Sequence, residues 1–123
     1  LVVDDEEILV DVISEMLIFM GYQVTTSNSS NEALVKFTAA PADFDLVLTD
    51  MTMPDLTGIQ LSNRLREIRS DIPIVLCTGY SHQLINRRPE ELGLKAIVMK
   101  PIQTSELART IRMVLDEAVS GAA

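Results

Sequence analysis

Tryptophan is absent from this chain, cysteine and histidine occur once each, and tyrosine occurs twice. With Cys77 alone no intrachain disulfide can form, and a reducing, cytoplasmic setting fits. Cys77 lies in an apolar run, where a small buried hydrophobe is expected. One cysteine and one histidine cannot build a zinc site. Cations are scarce, with 10 Lys and Arg against 18 Asp and Glu and a net charge of −8. A duplex-binding surface needs clustered Lys and Arg, so direct nucleic-acid binding is not expected. No basic amphipathic helix is present for an anionic membrane. No apolar run approaches the roughly 20 residues that span a bilayer, and no signal peptide opens the chain. The sequence starts at Leu1, already inside an apolar run, and reads as a piece of something longer with its first strand truncated.

The 123 residues suffice for one domain, 1–123, and 47% hydrophobic content promises a folded core. No linker, repeat or low-complexity tract divides them. Short apolar runs alternate with helical patterns instead. Strands are expected at 1–3, 23–26, 46–49, 74–77 and 96–99. Ile8, Leu9, Val12, Ile13, Met16, Leu17 and Met20 form one helical stripe that Gly21 stops, its methionines filling core. Ser29 with Glu32 spells a capping box ahead of Ala33, Leu34 and Phe37. Leu61, Leu65 and Ile68 mark a third helix. A fourth helical pattern, 81–92, is weak because Pro89 interrupts it. Leu107, Ile111, Val114, Leu115 and Ala118 mark the last. Strands apolar on both faces argue for a parallel sheet covered on both sides, a doubly wound α/β sandwich of βα units.

The chemistry sits at the strand ends. The first strand ends in Asp4-Asp5, the third in Asp50, the fourth in Thr78, and the fifth in Lys100 before Pro101. Parallel strands bring their C-terminal ends to one edge, where open α/β sheets bind ligands. Two carboxylates about 4 Å apart repel by roughly 4 kcal/mol at an effective dielectric of about 20. A cation must offset that, and Lys100 supplies one charge. Oxygen ligands facing water suit Mg²⁺, which readily accepts a phosphate oxygen as well. A carboxylate can then take a phosphoryl group as an acyl phosphate. Asp50 stands alone at a central strand and is the expected acceptor, whereas the paired Asp4 and Asp5 suit a metal. Met53-Pro54 sets an extended entry to the next loop, Gly58 permits a turn before the helix, and the Thr52 backbone carbonyl is left free for the metal.

The segments "LVVDDE", "DLVLTDMTMPDLTG", "PIVLCTGYS" and "VMKPI", in that order, closely resemble the receiver domain of two-component response regulators. The likeness covers essentially the whole chain. It implies a flavodoxin-like (βα)5 fold with strand order 2-1-3-4-5, Asp50 as phosphoacceptor, and Mg²⁺ held by Asp5, Asp50, the Thr52 carbonyl and, through water, Asp4. It further implies Thr78 as the switch hydroxyl, Lys100 as the phosphate-contacting lysine, and a cis bond at Pro101. The implied donor is a phosphohistidine on a histidine kinase or histidine phosphotransfer domain, and a phosphorylation-dependent dimer is compatible with the family. As an isolated domain it would not be an enzyme in the ordinary sense. His82 is expected to be solvated rather than a donor.

Two features depart from the family pattern. Ile97 occupies the position of the usual switch aromatic, and Pro89 disturbs the fourth helix. "CTGYS" before a polar stretch resembles receivers appended to hybrid sensor histidine kinases. A haloacid-dehalogenase-type phosphatase is the enzymatic alternative, but it needs an aspartate where Thr52 stands. A vestigial, non-phosphorylated interaction module is the third reading.

Overall fold

The computed structural model describes residues 1–79 and 88–121. Strands β1 (Val2–Val3), β2 (Thr26–Ser27), β3 (Val47–Asp50), β4 (Ile74–Thr78) and β5 (Ala96–Met99) form one sheet in the order β2-β1-β3-β4-β5. Every neighbouring pair is parallel. Helices α1 (Glu7–Phe19), α2 (Ser30–Ala39), α3 (Gly58–Ile68) and α4 (Thr104–Gly121) cover it. This is the expected doubly wound arrangement.

Alternation along the strands divides the core in two. On one face Val3, Val47, Ile74 and Leu76 pack with Ala33 and Phe37 of α2 and Leu61 and Leu65 of α3. On the other, Val2, Leu48, Val75, Cys77 and Val98 meet Val10, Ile13 and Leu17 of α1 and Leu107, Ile111 and Val114 of α4. Each fully buried branched or aromatic side chain contributes about 1.5–3 kcal/mol. Among the described residues no helix is long and apolar enough to cross a membrane.

Several local expectations change. The second strand lies at Thr26–Ser27, not 23–26, because Val2 pairs with Thr26 and Val3 with Ser27. The stripe on α1 is also rotated. Val10, Ile13 and Leu17 are buried, while Ile8 is 81% exposed and Val12 42%. With apolar residues on nearly every side of this helix, periodicity alone could not select the inward face. Met16 and Met20 do pack against the core as expected. The capping box at α2 is only half formed. Ser29 Oγ accepts the Glu32 N–H at 3.0 Å, but the Glu32 carboxylate pairs with Lys36 at 2.7 Å. A reciprocal box forms instead at α3, between Thr57 and Gln60. Ile68 is 40% exposed. Of the weak pattern at 81–92, residues 81–87, with His82, lie outside the described residues. Pro89–Leu92 is a 3-10 turn closed by Gly93 at φ 75°.

Candidate functional site

The parallel register sets the site. Asp50 ends β3 opposite Cys77, so Thr78 lies one residue beyond it on β4, and Thr78 pairs in turn with Met99, the residue before Lys100. Asp4 follows β1 directly, and its N–H donates to the Ser27 carbonyl at 3.2 Å. The Lys100 N–H donates to the Thr78 carbonyl at 2.8 Å, and the Lys100–Pro101 peptide is cis. Four sequence-distant segments therefore finish at one edge.

Their side chains converge there. Lys100 Nζ lies 2.7 Å from Asp50 Oδ1 and 3.4 Å from Asp4 Oδ2. Carboxylate oxygens of Asp4, Asp5 and Asp50 all lie within 4.8 Å of one another. Asp4 and Asp50 are buried, and Asp5 is exposed. The remaining Asp4 oxygen accepts the Glu6 N–H at 2.9 Å. Thr78 is buried, and its hydroxyl donates to the Gly79 carbonyl at 3.1 Å.

Three acids against one ammonium leave this pocket short of positive charge. Burial pushes the Asp4 pKa up, and the nearby Asp50 charge adds to that, against the Glu6 hydrogen bond and Lys100. Burial alone would lower the Lys100 pKa. The hydrogen bond and charge of Asp50, then those of Asp4, outweigh it and raise it. Cys77, beside Asp50 in the sheet, is pushed up to about 12 by burial and is an inert thiol. An all-oxygen donor set that is half buried, half open and negatively charged fits a hard divalent cation.

The loop after Asp50 is built differently from the sequence expectation. Gly58 is the first residue of α3 and supplies no left-handed turn; that conformation belongs to Asp55, at φ 70°. Gly58 is needed for close approach. A Cβ there would lie nearer to the Asp50 carbonyl oxygen and Leu76 Cδ1 than side chains come. Its N–H donates to the Met51 carbonyl at 2.8 Å. Met53 is buried in the core on the α2 and α3 side. Thr52 is exposed on this loop. Ile97, opposite Leu76 on β5, is half-buried against the same core. Sequence reading missed Ser30 and Asn31, which reach this loop from α2. In the sequence Ser30 looks like one more small polar residue beside a helix cap.

Known proteins agree with this geometry. Residues 1–112 match the family described as the response regulator receiver domain. A probable transcriptional regulator, ycf27, from Cyanidium caldarium is 35% identical over 94% of this chain and 45% of its own length. The sensory transduction protein RegX3 of Mycobacterium tuberculosis is 34% identical over 94% of this chain and 49% of its own. The chain thus spans about half the length of these relatives. Among solved structures, a response regulator receiver domain protein from Clostridium thermocellum superposes with a TM-score of 0.88 at 28% identity, covering 94% of this chain and 92% of that one. The response regulator TrrA of Thermotoga maritima, in complex with Mg(2+)-BeF, gives 0.81 at 30% identity, covering 92% and 95%. The chain belongs to the response regulator receiver domain family of two-component systems.

Proposed function

We propose that Asp50 accepts a phosphoryl group from a phosphohistidine on a histidine kinase or histidine phosphotransfer domain. The observation that carries this reading is the meeting of Lys100 with Asp50 and Asp4 beside the exposed Asp5. An Asp50 oxygen attacks phosphorus. The new O–P bond forms as the P–N bond breaks, and the departing imidazole keeps the electron pair and takes a proton from water. Lys100 turns from the Asp50 carboxylate to the phosphoryl oxygens, and the Thr78 hydroxyl turns from the Gly79 carbonyl to donate to the same group.

Asp5, Asp50 and the Thr52 carbonyl, with Asp4 through water, would hold Mg²⁺. The donor set supports that choice, as does the Mg(2+)-BeF complex of the Thermotoga relative. When bound, the ion supplies neutralising charge for the incoming group. Redirection of Thr78 would bias the segment after β4. With Ile97 in the aromatic's place, this switch works without a rotating ring. Residues 1–123 would form one cytoplasmic receiver domain, its parent either a hybrid sensor histidine kinase or a stand-alone regulator, with a dimer as one output of phosphorylation.

A small phosphodonor with Mg²⁺ should give the parent an acid-stable, base-labile adduct and give Asp50→Asn none. Equal adduct in both would remove Asp50 from the role.

A further inference from the structure

Loop 51–57 joins β3 to α3, and its two ends are held at the sheet edge and the start of α3. The Met51 N–H donates to the Cys77 carbonyl at 3.1 Å, and the Gly58 N–H returns to Met51. The middle is gripped from a different element. Ser30, the first residue of α2 and wholly buried, donates its hydroxyl to the Pro54 carbonyl at 3.2 Å. The same oxygen accepts the Leu56 N–H at 3.2 Å. Beside it, Asn31 Nδ2 donates to Asp55 Oδ2 at 3.1 Å, where the backbone is left-handed.

This hydroxyl is not needed to cap α2. Ser29 already does that, by accepting the Glu32 N–H. Nor is a hydroxyl needed for packing, since burying one without partners is costly. Its donor and acceptor are both spent on loop main chain. The same stretch is tied to the other side of the pocket. The Ser27 carbonyl accepts the Asp4 N–H, and Ser27 Oγ donates to the Ser29 carbonyl at 3.0 Å. Polar contacts thus run from Asp4 through residues 27–30 to the loop that leaves Asp50.

We propose that Ser30 is a positioning residue: by clamping Pro54 and Leu56 it fixes the main chain beside Asp50 and thereby sets the affinity of the acidic pocket for a divalent cation. This rests on the Mg²⁺ reading above. Ser30→Ala removes both clamp bonds but leaves the Leu56 N–H to Pro54 carbonyl contact at 2.9 Å, so the loop loosens without losing its path. Groups that hydrogen-bond a metal's ligands alter its affinity by about 10- to 100-fold, and Ser30, which grips the loop two residues past Thr52, belongs at the low end of that range.

The test is calorimetric Mg²⁺ titration of the whole chain, with amide exchange at Leu56 as a readout independent of the metal. Ser30→Ala should bind Mg²⁺ about tenfold more weakly. Its Leu56 amide should exchange faster. Its phosphorylation rate at saturating Mg²⁺ should stay within about twofold of the parent, because the chemical groups are intact. A variant that binds as tightly as a Mg²⁺-binding parent overturns this inference alone, whatever the exchange shows. A parent that binds no Mg²⁺ overturns the cation reading and this inference together. Should Ser30→Ala fail to fold, Asn31→Ala, at the exposed end of the clamp, should weaken binding in the same direction. Unchanged affinity there also overturns it.

Discussion

The Lys100 ammonium lies 2.7 Å from an Asp50 oxygen and 3.4 Å from an Asp4 oxygen, so one cation serves two buried carboxylates from different strands. Removing it leaves both acids unpaired. Because the Lys100 side chain keeps 25% exposure, Lys100→Met should cost about 1–3 kcal/mol without metal, below the fully buried case. Mg²⁺ should bind more tightly to that variant, since a competing positive charge is gone, while phosphorylation slows. Chemical denaturation with and without Mg²⁺ checks both signs.

Asp4 gives a pH signature. Its pKa is raised in the fold by burial, so the unfolded chain releases this proton first as pH rises. Stability is therefore lost as pH climbs from the ordinary aspartate value of 3.8 through the raised one. Asp4→Asn should lack that loss. Without metal, its melting temperature relative to the parent should increase as pH climbs from 3.8 through the raised value. A constant difference across that range would contradict the burial argument. Lys100 acts at the other end. Its raised pKa stabilises the fold below 10.5, and that contribution disappears as pH passes the raised value.

Gly58 separates close approach from turn formation. Gly58→Ala places a Cβ against the Asp50 carbonyl and Leu76, and main chain rather than a flexible tip must move. A loss of about 1–3 kcal/mol is expected, as for overpacked sites, despite alanine's better helix propensity. Phosphorylation should fall with it, because the displaced group is the acceptor's own backbone. Normal stability would mean that the helix start shifts freely.

These cases show what the sequence makes legible. The gathering of Asp4, Asp5, Asp50 and Lys100 follows from where each apolar run stops, because parallel strands share one edge, whereas the strand order was legible only through the family resemblance. The inward face of α1 did not follow, since Ile8 and Val12 are as apolar as Val10. Glu32 left its capping role for Lys36, one turn away on the same helix, a competition that spacing does not reveal. The grip of Ser30 on Pro54 spans 24 residues of sequence, and only the assembled fold brings the two together.

Ser62 tests the helix that follows the acceptor loop. Its hydroxyl is fully buried in α3 and, among the described residues, is the side-chain group found buried without a partner. Ser62→Ala should stabilise the protein by about 1 kcal/mol, from relief of an unmet hydrogen bond and higher helix propensity. A thermal melt that drops would mean that the hydroxyl has a partner.

The most direct measurement locates the phosphoryl group itself. The protein is incubated with a phosphorylated histidine phosphotransfer domain and Mg²⁺, the acyl phosphate is reduced with borohydride, and peptides are mapped by mass. Reduction product confined to Asp50, and abolished by Asp50→Asn, is the expected result. Product at another acid, or transfer undiminished in Asp50→Asn, would contradict it.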